Sequence, residues 1–78
     1  MTHVERRAAA RKAIGRNVRR LLVEHGVTAT EVAEQLGHDP NSVYRICNGN
    51  RMPSALTAKR MADAIGCTVD EIVEGVAV

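Results

Sequence analysis

Gly26 to Ser54 reads GVTATEVAEQLGHDPNSVYRICNGNRMPS, and its punctuation predicts two short helices around a tight turn. Thr28 and Glu31 have capping-box spacing: the threonine oxygen accepts from a first-turn amide and the glutamate bonds back to the threonine amide. Val32, Ala33 and Leu36 follow on one face at helical spacing, and Gly37 suits the left-handed conformation that ends a helix. Asp39 is a good N-cap for the next helix, and Pro40 fits its first position, where no amide hydrogen is needed. Val43, Ile46 and Cys47 make the inward stripe of that helix, Asn41, Ser42 and Arg45 point outward, and Gly49 closes it. The turn between the helices spans about four residues, as a helix-turn-helix that reads duplex DNA requires.

The rest of the chain narrows the function classes. Seventy-eight residues make one domain. At that size a chain buries only about 60% of the surface its unfolded form exposes, too little to hide an active-site cavity easily. With 45% apolar residues, six glycines and one aromatic, the composition is that of a helical bundle packed with Ala, Val, Leu and Ile. Phe and Trp are absent, and Tyr44 alone does not build the stacking platform that single strands or RNA loops require.

The net charge of +2 conceals an asymmetry. Arg6, Arg7, Arg11, Lys12, Arg16, Arg19 and Arg20 face only Glu5 in the first twenty residues, which therefore carry +6. Residues 21–60 balance to zero, and 61–78 carry −4 from Asp63, Asp70, Glu71 and Glu74. Such polarity favours a polyanion at one end of the molecule, with association that slows as salt rises. A solvated charged helix face is the plainer alternative.

Cys47 and Cys67 stand twenty residues apart with no CxxC pair, so the sequence predicts no zinc site and no disulfide. Both read as small buried or half-buried thiols. His3, His25 and His38 lack ligand spacing, and neither a metal nor a cofactor is expected. No apolar run approaches the ~20 residues of a membrane span, and no leader precedes the first helix, so a reduced cytoplasmic setting is expected.

Glycines 26, 37, 49, 66 and 75 divide the chain into five helical segments without strand or repeat signals. The first is expected from about Val4 to His25, with Ile14, Val18, Leu21 and Leu22 inward; residues 1–12 are either a basic arm or an extension of this helix. The fourth is expected from Ala55 to Ile65 after an N-cap at Ser54, with Leu56, Ala58, Met61, Ala62 and Ile65 in the core. The fifth opens with a second capping box, Thr68 to Glu71, and contributes Val69, Ile72 and Val73. Residues 13–75 form the expected domain, and the short apolar tail, 76–78, docks, pairs with a second subunit or frays.

From about Ile14 to Glu74 the chain resembles, without gaps, the Cro/C1-type helix-turn-helix family of phage-repressor-like, XRE-like DNA-binding domains. The resemblance rests on the register of Val18, Leu21, Gly26-Val27-Thr28, Glu31-Val32-Ala33, Leu36-Gly37, Ser42-Val43, Arg45-Ile46, Gly49, Pro53-Ser54, Met61-Ala62, Ile65-Gly66 and Val69-Asp70-Glu71. It implies an all-α, compact five-helix bundle of the lambda-repressor-like type, with residues 40–48 as the recognition helix in the major groove. The family's base-contacting places fall on Pro40, Asn41, Ser42, Tyr44 and Arg45. Asn41 can pair with an adenine edge, Arg45 with guanine, and Ser42 with either; Pro40 offers only an apolar contact, and Tyr44 reaches a phosphate or a base. Phosphate contacts are implied at Thr28, Asn48, Asn50 and Arg51. A glutamine frequent near the second helix's start is Ala29 here, and the basic segment, through Arg6, Arg7, Arg11 and Lys12, is the expected replacement. Many members also bury an arginine and a glutamate at the places of Leu22 and Cys47. The joint loss predicts that these two helices still touch there, because losing one partner alone would strand a buried charge.

The expected function is that of a sequence-specific double-stranded DNA-binding repressor that occupies an operator. Two copies on a pseudo-palindrome would supply the specificity a single half-site lacks, and a monomer with an enlarged basic arm is the alternative. The same fold also serves as a protein-interaction module such as an antitoxin, against which the few residues after the fifth helix count. No nucleophile with a base, no carboxylate pair and no phosphate-binding loop suggests an enzyme, and no small-molecule ligand is expected.

Overall fold

A computed structural model describes residues 2–76, and α1 (His3–His25) runs along its longest dimension. Twenty-three residues at ~1.5 Å rise span ~34 Å, close to the full 36 Å of a molecule only 20–21 Å across. The expected start near Val4 moves to His3 because Thr2 and Glu5 form a complete capping box, each side chain bonding the other's backbone amide. Residues 3–12 are continuous with α1, and most of them are exposed.

The other helices are α2 (Ala29–Leu36), α3 (Pro40–Cys47), α4 (Ala55–Ile65) and α5 (Val69–Ile72), and no strand occurs among the described residues. They begin at the expected signals, and α2 and α4 end at theirs, Gly37 and Gly66. α3 stops at Cys47 with Asn48 rather than Gly49 as its C-cap, and α5 stops at Ile72, short of Gly75. Thr28, Asp39, Ser54 and Thr68 each accept a first-turn amide hydrogen as N-cap. The box at Thr28 is only half formed: Glu31 bonds the Thr28 hydroxyl, 3.2 Å, rather than its amide. The turn between α2 and α3 is three residues, Gly37 to Asp39, one fewer than the spacing suggested. Gly37, at φ 70°, makes it tight, since the His38 amide can then reach back to Ala33 O at 2.9 Å.

Val18, Leu21, Val32, Val43, Met61 and Ile72, one or two from each helix, fill the centre of the core. The stripes expected of α1, α2 and α3 are all buried, and Ala29 joins them. Two expected core residues are not: Leu56 is 67% and Val73 39% exposed. At about 100° per residue Leu56 stands opposite Ile65 on α4, so the face that buries Ala58, Met61, Ala62 and Ile65 turns it outward. Val73 has already left α5, whose single turn buries only Ile72. Of the tail, Val76 packs on the core, and residues 77 and 78 lie outside the described residues.

The sixth glycine, Gly15, is interior to α1 and serves packing. A Cβ there would lie 2.5 Å from the Cys47 carbonyl oxygen and 2.7 Å from that of Ile46. Its absence lets α1 lie directly against the end of α3. On another side of α1, the buried Asn17 donates both Nδ2 hydrogens, to Ile72 O and Glu74 O at 2.8 Å each. These bonds satisfy carbonyls at the end of α5 that have no partner within the helix.

Candidate nucleic-acid interface

The exposed face of α3 is set by what its other face buries. Val43, Ile46 and Cys47 are in the core, which leaves Pro40, Asn41, Tyr44 and Arg45 exposed. Asp39 secures the helix start by accepting from the Asn41 amide at 2.8 Å. Ser42, expected to point outward with Asn41 and Arg45, is half-buried. It borders a crevice of about 130 Å³ shared with His38, Ile46, Arg51, Met52 and Thr57. Its hydroxyl therefore stands at the edge of the α3 surface, beside the loop that follows.

That loop and the start of α2 flank α3 on its two sides. Tyr44, 47% exposed, lines a groove of about 260 Å³ with Thr28, Leu22, Val23, Ala29 and Cys47. On the other side Arg51 lines the crevice with Ser42, so Thr28 adjoins Tyr44 while Arg51 adjoins Ser42. The Thr28 hydroxyl is already engaged with Glu31, which leaves the backbone amides at the start of α2 as the remaining donors there. After α3, Gly49 at φ 76° reverses the chain, its amide bonding Ile46 O and the Asn50 amide bonding Arg45 O at 2.9 Å. Asn48, Asn50 and Arg51 are all exposed on this reversal.

The basic residues of α1 separate by helical phase. Arg11 donates from Nε to Gly49 O at 3.3 Å, and Lys12 packs on Gly49 so closely that a Cβ there would meet its Cγ at 3.0 Å. Arg7 lies one turn from Arg11 on the same side, whereas Arg6 is about 140° away from Arg11 around the helix and off that flank. Arg19, absent from the expected phosphate contacts, donates from Nε to Cys47 O at 3.1 Å and from a terminal nitrogen to Asn48 Oδ1. Arg20 is directed elsewhere, pairing with Glu24 at 3.5 Å and Glu74 at 3.7 Å. The segment after α5 folds back beside the C-terminal half of α1, where Glu74 meets Asn17 and Arg20, while Arg6, Arg7, Arg11 and Lys12 lie toward the N-terminal end of that helix.

Leu22 and Cys47 are both buried and line the same groove, as expected of two positions that lost a charged pair together. Burial pushes the Cys47 thiol above its ordinary pKa of 9.0, and the nearby Arg19 offsets this only in part. Cys67, half-buried, is raised by burial and by Glu71. Among the described residues no group of three His, Cys, Asp or Glu could hold a metal, and no helix is long and apolar enough to cross a membrane.

Arg19 and Asn17 are the polar residues that reading the sequence passed over. Arg19 had only its membership of a charge-rich helix to mark it, but Asn17 carried a signal: a short amide between two apolar positions of an inward stripe.

The comparisons agree with this geometry. A helix-turn-helix family model matches residues 18–72, which contain α2 to α5 and the last part of α1. The crystal structure of the clp gene regulator ClgR from C. glutamicum is similar at a TM-score of 0.76 and 25% identity, over 81% of this chain and 82% of that one. No curated protein matches the chain significantly. The chain belongs to the Cro/C1-type helix-turn-helix family of DNA-binding transcription regulators.

Proposed function

We propose that this protein is a sequence-specific repressor that occupies an operator in duplex DNA, with α3 in the major groove. One observation carries the reading: the exposed face of α3 is bracketed by Thr28 at the start of α2 and by the Asn48–Arg51 loop. A recognition helix needs that arrangement, with phosphate donors on both sides of a base-reading surface. Asn41 and Arg45 are the base readers with bidentate chemistry, Tyr44 and Pro40 add contact surface, and Ser42 reads from the edge. The backbone amides from Thr28 into the start of α2, with Asn48, Asn50 and Arg51, hold the DNA backbone, with Arg7, Arg11 and Lys12 on the adjoining flank of α1. Residues 13–75 form the binding domain, and two copies read a pseudo-palindrome. The exposed Met52, Leu56 and Val73 are available to such a pairing.

Selection of bound sites from random duplex DNA tests the reading. A palindromic consensus is expected, while a pool that never enriches would favour a protein-interaction module of the antitoxin kind. Arg45→Ala should then weaken binding to the enriched site by about 1–3 kcal/mol and relax base preference at one position. Equal loss on random DNA would remove Arg45 from base reading.

A further inference from the structure

Positions 11, 15 and 19 of α1 form one stripe, at successive steps of four, against the end of α3. Gly15 brings the helices into backbone contact, and the arginines on either side hold carbonyls at and just beyond the end of α3: Arg19 takes Cys47 O, the last of the helix, and Arg11 takes Gly49 O in the turn that follows. Cations are favoured at a helix C-terminus, but that accounts for charge alone, which a lysine would also supply. The geometry uses the guanidinium fork. From one plane, Arg19 bonds a backbone carbonyl with Nε and the Asn48 side-chain oxygen with a terminal nitrogen.

That second bond has a consequence for Asn48. A side-chain amide has an acceptor end and a donor end, and a cation engages only the acceptor. With Oδ1 engaged by Arg19, the donor end of this exposed amide, Nδ2, is the part left for another partner. We infer that Arg19 and Arg11 are positioning residues: they hold the turn after α3, and Arg19 orients the Asn48 amide so that its donor end faces a DNA backbone phosphate. The inference rests on the DNA-binding reading above and adds how the phosphate contact is set.

Arg19→Lys separates positioning from charge, since it keeps the cation and removes the fork. The probes are the duplex enriched from the random pool and the unselected pool itself. Arg19→Lys should bind the enriched duplex about tenfold more weakly, the factor that loss of one hydrogen bond to a charged group implies. Its binding to the unselected pool should weaken by a similar factor, because a phosphate contact carries no sequence information, while its slope of log affinity against log salt stays unchanged. Asn48→Ala should lose the same factor, and the double variant no more than either single one. Arg19→Lys binding the enriched duplex like the wild type, or losses that multiply, would overturn the inference. In the protein without DNA, the Arg19 Nε hydrogen should exchange slowly by NMR, and Arg19→Lys should shift the Asn48 side-chain amide signals. An unprotected Nε hydrogen or unmoved amide signals would overturn it independently of DNA. Failure of every duplex to bind would instead overturn the DNA-binding reading.

Discussion

Replacing Gly15 by alanine sets two well-measured tendencies against each other. In a helix interior alanine is favoured over glycine by about 1 kcal/mol, so at an open position the change would raise stability. At Gly15 the new methyl would stand 2.5 Å from Cys47 O and 2.7 Å from Ile46 O, and real Cβ contacts essentially never fall below 3.0 Å. The obstacle is backbone, not a side chain that can change rotamer. Reaching even 3.0 Å requires α1 and the end of α3 to separate by about 0.5 Å. That movement would lengthen the 3.1 Å bond from Arg19 to Cys47 O beyond hydrogen-bonding range. Overpacking costs about 1–3 kcal/mol, and losing a charge-assisted bond adds about 1.5 kcal/mol, so a net loss of about 2 kcal/mol remains after the helix-propensity gain. For a domain of this size this lowers the melting temperature by about 8–16 °C, measured by circular dichroism. Ala9→Gly, at an exposed position of the same helix, isolates the propensity term. A Gly15→Ala protein that melts at or above the wild-type temperature would refute the close approach of α1 to α3.

Three further outcomes are expected. Asn17→Ala removes two donors from Ile72 O and Glu74 O and should cost about 1–3 kcal/mol, with faster amide exchange confined to residues 68–74; uniform exchange changes would argue against a local clasp. Leu22→Arg buries an unpaired charge and should cost about 3–5 kcal/mol, which adding Cys47→Glu should partly restore, whereas simple additivity in thermal melts would show that the two positions do not meet. The raised pKa of Cys47, caused first by burial, favours the folded state below the unfolded value near 9.0, and this contribution is lost as pH rises through the folded value. The melting temperature should therefore fall above pH 9.0 and fall less in Cys47→Ala, and identical pH profiles would contradict that burial.

By itself the sequence determined the helices, their caps and most of the core. These features depend on contacts three or four residues apart: a threonine oxygen meeting an amide one turn on, a glycine accepting positive φ, an apolar stripe repeating with the helix. It also placed Asn41 and Arg45 on the exposed face of α3, because Val43, Ile46 and Cys47 had to be buried, whereas Ser42, read as outward with them, is half-buried. Leu56 and Val73 escaped this logic because an apolar side chain at a helix end satisfies a pattern without lying in its phase. Only the tertiary structure decided which basic residues attend α3. Arg11 and Arg19 meet partners 38 and 28 residues away, and Asn17 meets carbonyls 55 and 57 residues away. Such pairs depend on the crossing of α1 with α3 and α5, which the missing side chain of Gly15 permits and no local spacing encodes. Composition could count seven positive charges in the first twenty residues, but the fold assigned Arg11 and Arg19 to the end of α3 and Arg20 to the acidic C-terminal segment.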